Sequence, residues 1–167
     1  MLFWKKESRF LKESNMEAHK WYIAQLNIGM MTGKNIDDPV MKEFVAQLDT
    51  INTLAEQTNG FVWRLKSDEG NATSYNPYKD ERIIINFSVW QNVEDLKNFV
   101  YKSAHTAVMK DRKKWFENFG QAYYVVWNIP EGYIPSLDEA IERLTVLQQK
   151  GPTAYAFDFK NIFNPSF

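Results

Sequence analysis

Apolar and polar residues alternate along "WYIAQLNI" (21–28), which predicts a strand with Tyr22, Ala24, Leu26 and Ile28 on one face and Ile23, Gln25 and Asn27 on the other. After the loop "GMMTGKNI" the period lengthens. Val40, Met41, Phe44, Val45, Leu48, Ile51, Leu54 and Ala55 recur at helical spacing and give one broad apolar face. Asp38 is placed to cap this helix, Pro39 to occupy its first position, and Gly60 to stop it. "FVWRLKS" (61–67) predicts a second strand. The polar loop "DEGNATSYNPYKDE" leads to a third, "RIIINFSVW" (82–90), whose centre reads as apolar on both faces. "NVEDLKNFVYKS" and "AHTAVMKDRKKWFENF" are helical, with a break at Ser103, and "QAYYVVWNI" (121–129) is a fourth strand. Ser136 caps a last helix, "LDEAIERLTVLQQK", in which Glu139 completes a capping box, and Gly151 and Pro152 end it. The tail "TAYAFDFKNIF" is expected to add a short edge strand.

The order of these elements implies an α+β fold of the ferredoxin-like βαββαβ type: an antiparallel sheet with helices on one face, then an extra helix and tail. Residues 21–167 form the domain. Residues 1–20 are a polar N-terminal extension in which Met16 offers a second start and His19 has no assigned role. A four-stranded sheet covered on one side leaves its other face open, and that face is apolar and aromatic here. Exposed apolar patches mark interfaces, so a homodimer through the sheet face is expected.

Composition narrows the chemistry. The 167 residues include no cysteine, which excludes disulfides, thiolate nucleophiles, iron–sulfur ligation and the usual structural zinc sites. Formal net charge is −1 with no long basic run, so neither a nucleic acid nor an anionic membrane is indicated as a partner. The N-terminal apolar stretch is too short for a signal peptide and no segment reaches the ~20 apolar residues of a membrane span; a cytoplasmic protein is expected. Aromatic residues make up 16% of the chain, enough to line a ring-binding pocket or simply to fill a dense core.

Candidate chemistry centres on His105, one of two histidines. At the start of a helix its ring is disfavoured as imidazolium, and a neutral imidazole is the form that accepts a proton or binds a metal. Tyr101, His105, Met109, Arg112 and Phe116 follow at three- or four-residue spacing, one stripe if the helix is continuous. Arg112 is able to grip a carboxylate bidentately and Phe116 to form a wall. Asn27 and Arg64 are polar residues within apolar strands, where burial is costly unless a partner is found. Trp90 reads as packing. Each of these also has a plain structural reading: a satisfied core histidine, an aromatic core stripe, a solvated "KDRKKW" face. "NAT" (71–73) reads as loop chemistry, "GMMTGKN" lacks P-loop spacing, and there is no HExxH motif, metal-ligand cluster or nucleophile elbow.

The stretches "AQLN" (24–27), "GFVWRL" (60–65), "GNAT" (70–73), "NFSVW" (86–90), "FVYKSAH" (99–105), "WF" (115–116), "DEAIERL" (138–144) and "GPTAYAFDF" (151–159) resemble an uncharacterised family, a domain of unknown function in the dimeric α/β-barrel superfamily. That family is related to the antibiotic-biosynthesis monooxygenases. A more distant likeness is to haem-degrading monooxygenases, which use an Asn on the first strand, a Trp in the second helical region and a His on the haem iron. Asn27 and His105 stand at the first and third of these positions. Phe99 stands at the second, and it cannot donate a hydrogen bond.

The resemblance implies a homodimer whose subunits each hold an aromatic-lined pocket between sheet and helices for a small apolar or aromatic, polyketide-like molecule. It implies a monooxygenase of one of two kinds. A cofactor-independent enzyme would use His105 as base, with Asn27 or Arg64 steadying the anion. A haem-dependent one would take His105 as the axial ligand of the iron, and His105 is a metal ligand only in that case. Tyr101, Phe99, Arg112 and Phe116 would contact the substrate in either. The competing expectation is a non-catalytic ligand-binding or scaffolding homodimer with His105 hydrogen-bonded in the core.

Overall fold

The structure is a computed structural model and describes residues 20–165. The expected N-terminal extension, with Met16 and His19, lies outside the described residues apart from Lys20, which pairs with Glu131 at 3.2 Å. Strands β1 (Trp21–Met30), β2 (Phe61–Arg64), β3 (Ile83–Trp90) and β4 (Tyr124–Pro130) form one antiparallel sheet in the order β2-β3-β1-β4. The helices are α1 (Lys42–Val45), α2 (Leu48–Gln57), α3 (Val93–Lys102), α4 (His105–Trp115) and α5 (Leu137–Lys150).

Local signals set the boundaries. The Asp38 carboxylate accepts from the Val40 N–H at 3.1 Å, as expected of a cap, although it opens a 3-10 turn, Pro39–Met41, that runs into α1 and then α2 rather than one long helix. Gly60 adopts φ +81°, and a Cβ there would lie 2.1 Å from the Asp95 carboxylate, so only glycine lets β2 start so close to α3. The Ser136 hydroxyl accepts from the Glu139 N–H at 3.1 Å. The Glu139 carboxylate turns to Arg143 and Tyr133 instead, so among the described bonds the capping box is half made. The tail contributes isolated bridges, Val126 to Phe157 among them, rather than the expected strand.

Tyr22, Ala24, Leu26 and Ile28 pack with Ile85, Phe87, Val89, Val125, Trp127 and Ile129 on one face of the sheet, and α5 brings Ala140, Leu144 and Leu147 onto them. Tyr75 and Tyr78 from the 65–82 connection and Trp63 from β2 complete the cover. Leu26, Val89 and Trp127 are wholly excluded from solvent within the single chain. The uncovered apolar sheet face expected from the sequence is therefore not there, because α5 and the long loop occupy it.

A bulge between Phe61 and Trp63 breaks the alternation of β2. Trp63 lies on the α5 side, edge-on to Phe87 at 5.2 Å, while Phe61 meets Trp90 on the other side at 5.4 Å. The same shift brings Arg64 opposite Ser88 on the side that carries α2, α3 and α4. On that side the packing divides into two clusters. Trp90, Leu96, Phe99, Ala55, Val126 and Phe157 gather at one end, and Met31, Met41, Phe44 and Trp115 at the other.

Candidate functional site

Between those two clusters lies a cavity of about 200 Å³, floored by the sheet and roofed by the helices. Its floor follows from strand register. Gln25 pairs with Ser88 and Asn27 with Asn86 across β1 and β3, so four polar side chains form a two-by-two patch on the helix-facing side. Gln25 Nε2 donates to Asn86 Oδ1 at 2.6 Å and to Ser88 Oγ at 2.9 Å, and Trp90 Nε1 donates to the same Ser88 oxygen at 2.9 Å. With Asn86 Oδ1 occupied, its Nδ2–H donors are left for the cavity. Asn27 lines the same floor and has no side-chain hydrogen bond to a described residue.

His105 forms part of the wall. The chain leaves α3 at Ser103, which is extended at φ −108° and ψ −177°. The Ser103 hydroxyl donates to the Phe99 carbonyl and accepts from the His105 N–H at 3.1 Å, joining the end of one helix to the start of the next. His105 Nδ1 lies 3.3 Å from the Val100 carbonyl. A carbonyl only accepts, so Nδ1 carries the proton and Nε2 keeps its lone pair. The ring is half-buried and packs 4.9 Å from Phe99. Burial pushes the His105 pKa below its usual 6.5, against a smaller opposing contribution from the Val100 carbonyl, so the ring is neutral at pH 7.

The break at Ser103 takes Tyr101 out of the stripe expected from spacing. Tyr101 belongs to α3, is 54% exposed and stands at the rim of the cavity beside Phe159. His105, Met109, Arg112 and Phe116 keep the stripe and line the cavity together. Phe116 lies against Gly29 of β1, where a Cβ would fall 2.8 Å from its ring, so the strand must carry glycine for that wall to close. Hydrogen bonds from Thr32 N to Trp115 O and from Glu117 N to Met30 O, each 2.8 Å, fasten the end of α4 to β1. The Arg112 guanidinium stacks 4.4 Å from the Tyr123 ring and 5.3 Å from that of Phe116. Arg64 also lines the cavity, with its Nε held 2.9 Å from Glu56. Trp90 is buried, stacked on Phe99 at 5.2 Å; it is a packing residue that also steadies the floor through Ser88.

The structure thus gathers every sequence-predicted site residue around one cavity: Asn27, Arg64, Phe99, Tyr101, His105, Arg112 and Phe116. It adds Gln25, Ser88, Asn86 and Tyr124. The first three carried a signal, since Asn86 and Ser88 share a face by their spacing of two and Gln25 shares one with Asn27. The reading of β3 as apolar on both faces is corrected at these two positions. Tyr124 carried none. Its phenol is pushed up to about 12, mainly by burial, so it stays protonated, and its oxygen accepts from the Phe159 N–H at 3.3 Å.

His105 could offer one nitrogen to a haem iron, and the floor of the cavity it lines carries the amide and hydroxyl side chains of Gln25, Asn27, Asn86 and Ser88 among otherwise mostly apolar walls. Among the described residues no group of three or more His, Cys, Asp or Glu side chains could hold a metal ion, and no helix is long and apolar enough to cross a membrane.

Solved structures with similar chain courses include protein SO0527 from Shewanella oneidensis, 10% identical with a TM-score of 0.44 over 67% of this chain and 92% of its own. Rv0793 from Mycobacterium tuberculosis is 13% identical, with a TM-score of 0.41 over 70% of this chain and 98% of its own. SnoaB, a cofactor-independent oxygenase from Streptomyces nogalater, is 11% identical, with a TM-score of 0.39 over 72% and 98%. At such values these likenesses bear on neither site nor activity. No curated protein sequence matches the chain. Residues 22–167 match a family described as a domain of unknown function (DUF3291), and the chain belongs to that family.

Proposed function

We propose that the chain binds a small aromatic molecule in this cavity, that His105 removes a proton from an acidic carbon of it, and that the resulting carbanion reacts with dioxygen without a bound cofactor. The observation that carries this reading is the state of His105: Nδ1–H spent on Val100, Nε2 with its lone pair, and a neutral ring in the wall over an amide floor. That is the arrangement of a general base.

For a methylene between two aromatic rings the step balances. The C–H bond breaks and its proton passes to Nε2. The carbanion gives electrons to dioxygen and forms a C–O bond, and the imidazolium returns its proton to the peroxide. Loss of water then leaves a ketone, so CH2 + O2 gives C=O + H2O. Negative charge that spreads to an enolate oxygen falls to the N–H donors of Asn27 and Asn86 and to Arg64, and fixed donors aimed at developing charge supply a large share of such rate gains. The aromatic walls at Phe99 and Phe116 hold the rings.

The test uses 1,8-dihydroxyanthrone. Anaerobic binding is read from tryptophan fluorescence; mixing with oxygen then reads quinone absorbance and oxygen uptake over the uncatalysed background. The expected result is one dioxygen consumed per molecule, with His105→Gln slower by about 100-fold or more and binding retained. Binding without turnover would remove the enzyme and leave a ligand-binding protein. Equal rates for both proteins would contradict the reading. Added haem is expected to give no Soret shift that depends on His105.

A further inference from the structure

The lining of the cavity is unbalanced in charge. It contains two arginines and no aspartate, glutamate or lysine. Arg64 is answered by Glu56 from outside the lining. Arg112 is not: it is half-buried, clamped on Tyr123 and Phe116, and makes no ion pair with a described residue. The acids nearest it in sequence are engaged elsewhere, Asp111 with Lys114 at 3.3 Å and Glu117 with Arg82. A partly desolvated guanidinium costs free energy unless an anion meets it, and its flat fork matches a carboxylate.

From this we infer that the ligand is an aromatic acid whose carboxylate sits on Arg112 while its far ring reaches His105. The inference rests on the reading of the cavity as an aromatic-binding site and names the class of molecule it takes. The spacing agrees. His105 and Arg112 lie seven residues apart on one face of α4, about 10 Å along the axis, and with both side chains leaning inward a two-ring acid spans the gap. The tyrosine and phenylalanine beneath the guanidinium hold its plane, so the fork is ordered before the anion arrives. Arg64 sits across the sheet at β2 with one N–H already committed, and so makes the weaker anion site.

The experiment compares 2-naphthoate with its neutral isostere 2-naphthamide by calorimetric titration against wild type, Arg112→Gln, Arg112→Lys and Arg64→Gln, with each variant's thermal melt as a fold control. The acid is expected to bind about 10- to 100-fold tighter than the amide to wild type, the difference a charge-assisted pair makes. That preference disappears in Arg112→Gln, is partly kept in Arg112→Lys, survives in Arg64→Gln, and shrinks with added salt. Equal affinity of acid and amide for wild type overturns the inference while leaving the aromatic cavity intact. A preference lost in Arg64→Gln and kept in Arg112→Gln also overturns it. Binding of neither compound overturns both the inference and the aromatic reading beneath it.

Discussion

The two faces of one sheet are put to opposite uses. Toward α5 the strands present an unbroken aliphatic and aromatic surface from Tyr22 to Ile129, and the helix and the 65–82 loop together seal it. Toward α2, α3 and α4 the same strands present Gln25, Asn27, Asn86 and Ser88, and the helices meet the sheet only at its two ends. Polar groups in the middle of an apolar face cannot be covered by aliphatic side chains without loss of their hydrogen bonds. The gap above them follows from that. The sealed face carries the continuous core, and the split one carries the cavity for which a function is proposed.

The largest effect expected from breaking this division is on stability. Leu144→Ala on α5 empties a fully packed site and should cost about 2–5 kcal/mol in urea unfolding. Asn27→Ala on the opposite face should cost less than about 1 kcal/mol and weaken ligand binding instead. Comparable in size is the effect on turnover. His105→Gln should lower it by about 100- to 10,000-fold while the urea midpoint stays near wild type. Ser103→Ala removes the hydroxyl that joins α3 to α4, and should cost about 1 kcal/mol together with part of the turnover, because His105 loses the bond that places it.

The smallest effect is the pH dependence of stability. Because burial holds the folded His105 pKa below 6.5, the unfolded chain binds the proton more readily. The contribution of His105 to stability is fully present above pH 6.5 and is lost as pH falls from there through the folded pKa. The difference in unfolding free energy between wild type and His105→Gln should therefore change across that acidic window and be flat above it.

Much of this was legible in the sequence. Alternation in "WYIAQLNI" assigned both faces of β1 correctly, and Asp38, Ser136 and Ser103 marked real boundaries. What periodicity conveys is which face is apolar, not what lies on it. The α5 helix was visible as an amphipathic segment, yet nothing local says that it returns to cover β1 and β4 rather than leaving them for a second copy. The bulge at Phe61 and Trp63 was hidden for a related reason. A register shift depends on the partner strand, and it alone sends Trp63 and Phe61 to opposite sides. The floor was half legible: Asn27 stood out alone, while its partners emerge only when β3 is laid against β1.

The most direct measurement of the central claim is the protonation of His105 itself. Long-range proton–nitrogen spectra of histidine-labelled protein, assigned with His105→Gln, report both tautomer and titration midpoint. The neutral Nδ1–H form with a midpoint below 6.5 is the predicted result. An Nε2–H tautomer, or a midpoint at or above 6.5, would contradict the account of His105 as a base held ready over the amide floor.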